Sequence, residues 1–174
     1  MTPNTSNSSE AARFAKMKIM IVDDEPSNTA LLEALLAGNG YTRLKSVTDS
    51  RQALETCLTF APDLILLDLI MPEPDGFSVL QSLRSGQPET FLPVIVLTAD
   101  ANQETKRKAL RLGATDFLLK PFDHLEVLLR IGNLLETRRL HLQLDLHRAA
   151  YEDALRTATS DLRDVQSQLD KVRT

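Results

Sequence analysis

Short apolar runs alternate with segments of helical periodicity along most of the chain. Runs of this kind that are rich in Val, Ile and Leu and are flanked by Pro, Asp or Gly predict strands. They cover residues 18–22, 43–47, 63–68, 93–98 and 116–120. Three of these runs are almost continuously apolar, which is typical of parallel strands that are buried on both faces.

Apolar residues recur at helical spacing between the predicted strands. These helical segments cover residues 28–38, 51–60, 76–85 and 102–112, and a fifth helix is predicted after Lys120-Pro121. Ser50 is the expected N-cap of the second helix. Strict alternation of strand and helix predicts an α/β fold of the (βα)₅ type. Its sheet would be five-stranded, parallel and doubly wound, because parallel neighbours need right-handed helical crossovers.

Composition narrows the class of protein. The chain has 174 residues, 43% of them apolar and 25% charged, which is ordinary for a globular protein. A net charge of −4 argues against direct nucleic-acid binding. The single cysteine, Cys57, excludes an intrachain disulfide framework and fits the reducing cytoplasm. No stretch approaches the roughly 20 apolar residues of a membrane span, and residues 1–15 are expected to form a disordered leader.

Candidate chemistry follows the predicted strands, because ligands in such sheets bind beyond the carboxyl ends of the strands. The strand ends carry Asp23, Asp24, Glu25, Asp68, Thr98 and Lys120. Carboxylates that converge from two strand ends repel one another, and hard oxygen ligands suit Mg²⁺. A carboxylate beside Mg²⁺, a lysine and a hydroxyl can accept a phosphoryl group as an aspartyl phosphate. Asp68 is the expected nucleophile.

Each of these residues also has a simpler interpretation. An acid at the end of a strand is often a helix cap or a solvated turn residue, and Lys120-Pro121 alone would indicate a turn. The ordered occurrence of the acids, the hydroxyl and the lysine at the ends of one predicted sheet favours a functional site over these separate explanations.

At these positions the sequence resembles the receiver domain of two-component response regulators, from about Lys18 to about Leu135. The matching motifs are Val22-Asp23-Asp24-Glu25-Pro26, Leu67-Asp68-Leu69-Ile70-Met71-Pro72, Asp75-Gly76, Leu97-Thr98-Ala99, Gly113-Ala114-Thr115-Asp116-Phe117 and Lys120-Pro121-Phe122. The resemblance implies a flavodoxin-like receiver fold and a histidine kinase or phosphotransfer protein as the partner that donates the phosphoryl group.

The resemblance also implies a role for each pocket residue. Asp68 would be the phosphoacceptor, and Lys120 would contact the phosphoryl group. Asp24 would bind Mg²⁺ directly and Asp23 largely through water. Asp68 and the main-chain carbonyl of Ile70 would complete the metal ligands that the protein supplies.

A switch is implied on the neighbouring strands. Thr98 would bond a phosphoryl oxygen after activation, and Phe117 occupies the position of the family's switch aromatic. Because Phe117 has no hydroxyl, switching is expected to rest on packing alone. The bond between Lys120 and Pro121 is expected to be cis, as it often is in this family.

The helical pattern continues to the end of the sequence. Its last part has a heptad core of Leu155, Ala158, Leu162, Val165, Leu169 and Val172. An earlier apolar set in a different phase meets this core between about Leu142 and Tyr151, which predicts a stutter. We therefore expect a receiver domain at 16–137 and a helical extension at 138–174 that forms a two-stranded coiled coil in a homodimer.

The sequence leaves alternatives open for both the structure of the extension and the function of the protein. The helix could fold back on its own receiver or remain solvated and frayed. The protein could be a phosphatase with an aspartate nucleophile, or a vestigial receiver that acts as a constitutive dimer scaffold. Arg138-Arg139 resembles the start of signalling helices that precede cyclic-di-GMP enzymes or histidine kinases. The chain is therefore either a stand-alone receiver or part of a longer regulator with an output domain beyond residue 174.

Overall fold

A five-stranded parallel sheet organises the protein, as the alternating pattern predicted. The structure is a computed structural model that describes residues 14–86, 91–100 and 102–172. The strands are Lys18–Val22 (β1), Arg43–Val47 (β2), Leu64–Asp68 (β3), Val94–Thr98 (β4) and Asp116–Leu119 (β5). They lie in the order β2-β1-β3-β4-β5. This order is the flavodoxin-like arrangement of a doubly wound sheet, so the predicted fold class is confirmed.

Helices follow the strands along the chain. They are Pro26–Gly38 (α1), Ala53–Phe60 (α2), Gly76–Gly86 (α3), Gln103–Arg111 (α4) and His124–Val172 (α5). Helix α1 begins at Pro26 and not at residue 28, because proline has a helical φ and needs no backbone donor in the first turn. The long C-terminal helix expected from the sequence is present as α5. No helix among the described residues is both long and apolar enough to cross a lipid bilayer.

The expectation that Ser50 caps the second helix is wrong. The N-cap of α2 is Gln52, which makes no side-chain cap bond. Asp49 instead caps the turn that precedes α2, and its carboxylate accepts a hydrogen bond from the Arg51 amide at 3.1 Å. Ser50 lies inside a short 3₁₀ turn, Ser50–Gln52, that precedes α2. Its side chain is buried and donates to the carbonyl oxygen of Pro72 at 3.4 Å, so tertiary packing uses the hydroxyl that a local cap would need.

Two apolar clusters cover the two faces of the sheet, because alternate residues of each strand point to opposite sides. On one face, Met20 and Ile65 pack with α2, α3 and α4. On the other face, Ile19 and Leu64 pack with α1 and the first part of α5. The central strand β3 is buried along its whole length, which explains its continuously apolar sequence.

The chain divides into two compact units with the border between Arg138 and Arg139. The first unit holds the sheet and the helices that pack on it. The second unit is helical from Arg139 to Val172. Large apolar side chains are exposed along the second unit. Among the side chains that the structure describes in this unit, they are Leu140, Leu144, Leu146, Tyr151, Leu155 and Leu162.

Candidate functional site

Strand order brings three carboxylates together at the carboxyl edge of the sheet. Val22 of β1 lies opposite Leu67 of β3, so the residues that follow them, Asp23 and Asp68, lie side by side. One carboxylate oxygen each of Asp23, Asp24 and Asp68 lies within 4.8 Å of the others. The direction of strand order reverses between β1 and β3, which is where doubly wound sheets bind ligands.

Asp24 is the most exposed of the three acids, whereas the other two are buried beneath it. Glu25, which the sequence also placed at this edge, is not in the cluster. Its backbone lies at the start of α1, and its exposed carboxylate accepts a hydrogen bond from the Ser27 hydroxyl.

Lys120 follows β5, which is an edge strand of the sheet, and bridges the two buried acids. Its Nζ atom donates to Asp23 Oδ2 at 2.8 Å and to Asp68 Oδ2 at 2.7 Å. Asp23 is 0% exposed and Asp68 is 5% exposed, so little water screens these ion pairs. The Lys120–Pro121 peptide bond that follows is cis.

Burial and the charged partners act in opposite directions on each member of this pair, and both pKa values lie above their ordinary values. Burial raises the pKa of Asp68, although hydrogen bonds from Lys120 and the Ile70 amide oppose the shift. Burial lowers the pKa of Lys120, but its bonds to Asp23 and Asp68 outweigh that effect, and the pKa lies above its ordinary value. The lysine therefore stays an ammonium at neutral pH.

The donor set of the cluster fits a hard divalent cation. Three carboxylates face one ammonium group, so the pocket holds an excess of negative charge when the acids are ionised. Carboxylate oxygens are the ligands that Mg²⁺ prefers, and Mg²⁺ is commonly held by one or two carboxylates together with substrate oxygens. The residues at this edge could therefore hold Mg²⁺.

The two predicted switch residues lie on the neighbouring strands. Thr98 ends β4, is 1% exposed, and its Oγ1 atom accepts a hydrogen bond from the Asp100 amide at 3.0 Å. Phe117 lies in β5 opposite Val96 and is partly buried. Lys106 of α4 places its Nζ atom 4.6 Å from the centroid of the Phe117 ring. The ring thus makes a cation–π contact in addition to the packing that was predicted from its lack of a hydroxyl.

Sequence reasoning missed one residue that shapes the pocket and gave no role in the pocket to a second. Asn28, in the first turn of α1, donates from Nδ2 to both carboxylate oxygens of Asp23 at 3.1 Å. The only feature of the sequence that could have indicated this contact is an amide side chain five residues after Asp23. Gly76 was predicted only as part of the Asp75-Gly76 motif and as the start of a helix, but a Cβ atom there would overlap the carbonyl oxygen of Asp68 and lie 2.5 Å from Leu69 Cα. The absence of a side chain at Gly76 lets α3 begin against the backbone of the phosphoacceptor candidate.

Fold and site together define a flavodoxin-like α/β domain with a lysine-bridged aspartate pocket at its switch point. A family described as the response regulator receiver domain matches residues 19–132. The chain belongs to this family and contains a receiver domain of two-component response regulators. The resemblance seen in the motifs is therefore confirmed.

The chain is similar to the receivers of several known proteins. Regulatory protein AtoC of Escherichia coli is 40% identical over 126 residues, which cover 72% of this chain and 26% of AtoC. A probable cyclic di-GMP phosphodiesterase of Vibrio cholerae is 36% identical over 62% of this chain and 24% of its own length. The Francisella response regulator 1452 receiver domain is 30% identical with a TM-score of 0.64, covering 70% of this chain and 98% of that structure.

The chain spans between about a quarter and about half of the length of the curated relatives it matches. Family membership therefore describes the receiver and not a whole regulator. Receiver domains are phosphoacceptor signalling domains and not classical enzymes. They bind Mg²⁺ at an acidic pocket and interact with histidine kinases or phosphotransfer proteins.

Proposed function

We propose that Asp68 accepts a phosphoryl group from a histidine kinase or a phosphotransfer protein in a Mg²⁺-dependent reaction. The observation that carries this proposal is the position of Lys120, whose Nζ atom lies 2.7 Å from Asp68 Oδ2 and 2.8 Å from Asp23 Oδ2. Asp23, Asp24, Asp68 and the main-chain carbonyl of Ile70 would hold the metal ion. When bound, Mg²⁺ supplies positive charge against the phosphoryl oxygens.

The proposed transfer uses the carboxylate of Asp68 as nucleophile. An Oδ atom of Asp68 forms a bond to phosphorus while the bond from phosphorus to the donor imidazole nitrogen breaks, and the electron pair of that bond stays on the nitrogen. Lys120 neutralises charge on the equatorial oxygens of the phosphoryl group. The Thr98 hydroxyl accepts a bond from the Asp100 amide and keeps its own proton to donate to a phosphoryl oxygen.

This chemistry is a single transfer to the protein and not turnover of an external substrate. The residue two positions after Asp68 is Ile70, which is 62% exposed. A phosphatase with an aspartate nucleophile needs a general acid near the leaving group, and an aliphatic side chain has no proton to give. We therefore favour a phosphoacceptor that assists only its own phosphorylation and dephosphorylation. The presence of both Lys120 and Thr98 argues against a vestigial pocket.

Thr98 and Phe117 are the proposed switch. A bond from the Thr98 hydroxyl to the phosphoryl group would draw Thr98 toward Asp68 and open space beside β4. Phe117 would move into that space and leave the ammonium of Lys106, because β5 lies next to β4. This movement would change the surface that α4, β5 and α5 share.

We further propose that residues 16–137 form the receiver domain and that residues 138–174 dimerise as a coiled coil. The exposed apolar side chains of the second unit support this proposal, since Leu144, Tyr151, Leu155 and Leu162 fall on the predicted seam. The side chains of Val165, Leu169 and Val172 lie outside those that the structure describes. The dimer would work in the cytoplasm without direct contact to nucleic acid or membrane, and an output domain could follow residue 174.

Incubation with acetyl phosphate and Mg²⁺, read by intact-protein mass spectrometry, tests the phosphoacceptor. The parent should gain one phosphoryl group and Asp68→Asn should gain none. Asp75→Asn is the matched control, since Asp75 lies in the loop before α3 and bonds Ser78. A full mass shift in Asp68→Asn would refute the assignment. Repeated turnover of p-nitrophenyl phosphate by the parent would favour the phosphatase instead.

A further inference from the structure

The carboxylate of Asp23 is completely buried and is surrounded by donors. Its Oδ1 atom accepts from the Glu25 amide at 3.0 Å, and its Oδ2 atom accepts from Lys120 Nζ at 2.8 Å. Asn28 Nδ2 lies 3.1 Å from both oxygens. One nitrogen equidistant from both oxygens fixes the direction in which the carboxylate points.

Helix α1 holds Asn28 rigidly in this place. The helix begins at Pro26, and the backbone amide of Asn28 donates to the carbonyl oxygen of Glu25 at 3.0 Å. The side chain therefore approaches Asp23 from a fixed turn that also supplies the Glu25 amide. A side chain anchored in this way can orient its partner without having to be ordered when a ligand binds.

We propose that Asn28 is a positioning residue for the Mg²⁺-dependent phosphorylation of Asp68, a role that rests on the proposed function of the pocket. Asn28 aims the carboxylate of Asp23 at the metal position. It also keeps that carboxylate hydrogen-bonded when Lys120 turns from Asp23 to the phosphoryl group. A buried carboxylate that lost its partners would carry a large desolvation cost, which would oppose the movement of the lysine.

The neutral charge of the amide is part of this role. Lysine or arginine at the same place would also bond Asp23, but it would add a positive charge that competes with the metal ion. The amide satisfies the carboxylate and leaves the negative charge of the pocket unchanged. Partners of metal-binding carboxylates commonly change metal affinity by 10–100-fold when they are removed.

The test is a calorimetric Mg²⁺ titration of the unphosphorylated full chain. Asn28→Ala is expected to raise the Mg²⁺ dissociation constant roughly tenfold or more, whereas the exposed neighbour Ser27→Ala should stay within about twofold of the parent. At saturating Mg²⁺, the rate of phosphorylation by acetyl phosphate should still be lower in Asn28→Ala, because Lys120 remains the main partner of Asp23. A purely structural role would lower the melting temperature and leave the Mg²⁺ affinity unchanged.

Parental Mg²⁺ affinity in folded Asn28→Ala would overturn the proposal. If Asn28→Ala does not fold, Asn28→Ser replaces it, since its shorter hydroxyl does not reach Asp23, and parental affinity in that variant would overturn the proposal equally. The titration does not depend on phosphorylation. A parent that binds Mg²⁺ but gains no phosphoryl group would refute the proposed function while the affinity of the variants still decides the role of Asn28.

Discussion

Arg138 donates a hydrogen bond from Nη1 to the carbonyl oxygen of Phe91 at 2.6 Å, which ties α5 to the segment that enters β4. The guanidinium is buried, and its Nε atom lies 3.6 Å from Asp63 Oδ1. From α3, Arg84 donates to the next carbonyl oxygen, that of Leu92, at 2.7 Å. Two arginines therefore hold the start of the strand whose other end carries Thr98. Arg138 is also the last residue of the first compact unit.

Arg138→Ala is expected to lower the free energy of unfolding by about 2 kcal/mol, because a hydrogen bond from a charged donor is lost and Asp63 loses its neighbouring charge. Urea denaturation measures the change. Arg139→Ala is the matched control and should cost less than about 0.5 kcal/mol, since its bond to Gln143 is exposed. Equal losses in the two variants would contradict an anchoring role for Arg138.

Asp68→Asn should make the Mg²⁺-free protein more stable at pH 7. Burial raises the pKa of Asp68, so the folded state disfavours its ionised form and loses stability as the pH rises through that pKa. The asparagine carries no such cost. Chemical denaturation in EDTA should therefore give a higher midpoint for the variant at pH 7. The difference should shrink as the pH falls and the parental carboxyl becomes protonated; a constant difference across the pH range would be the contrary result.

Gly76→Ala is expected to destabilise the fold by about 2 kcal/mol and to slow phosphorylation, because the new Cβ would overlap the backbone of Asp68 and Leu69. Gly132→Ala is the control. A Cβ atom at Gly132, in the interior of α5, would meet no neighbouring atom within 4 Å. Alanine there should therefore raise the free energy of unfolding by about 0.5–1 kcal/mol. Thermal melting measures the change in stability of each variant. Stabilisation by Gly76→Ala would show that the close approach to Asp68 is absent.

Leu155→Asp should convert a dimer into a monomer in analytical ultracentrifugation of the full chain. Leu155 is 57% exposed and occupies a predicted seam position, where two buried aspartates would repel each other. Leu146 is 70% exposed but lies off the seam, so Leu146→Asp should leave the dimer intact. Equal weakening by both variants, or by neither, would reject the predicted heptad.

Cys57 should react slowly with iodoacetamide in the native protein. Burial raises the pKa of its thiol, with an opposing effect from Arg84, so less of the reactive thiolate is present at pH 8 than in a free cysteine. Urea should accelerate alkylation in step with unfolding. Thr59→Cys in a Cys57→Ala background places a thiol on the exposed face of α2 and should react at an ordinary rate. Fast native alkylation of Cys57 itself would contradict its burial.

Local patterns in the sequence were enough to predict the alternation of strands and helices and the charged residues of the pocket. Both are properties of short segments, since apolar periodicity selects the element and the strand-end rule selects Asp23, Asp68 and Lys120. The role of Ser50 could not be predicted in this way, because a serine before a helix predicts a cap. Its hydroxyl instead donates to the carbonyl oxygen of Pro72, a residue of a distant segment. A local rule fails where a distant segment supplies a competing partner.

The hydrogen bonds among the pocket residues could not be predicted from local patterns, because they form between segments that folding brings together. Lys120 and Asp23 are 97 residues apart, and their contact depends on strand order and side-chain packing that no local pattern encodes. The same holds for the closeness of Gly76 to the backbone of Asp68 and for the bond of Arg138 to Phe91. Asn28 lies near Asp23 in the sequence, but its amide reaches both oxygens of Asp23 only because the first turn of α1 points the side chain toward them. Local patterns thus select the elements, whereas contacts between distant segments set the geometry of the site.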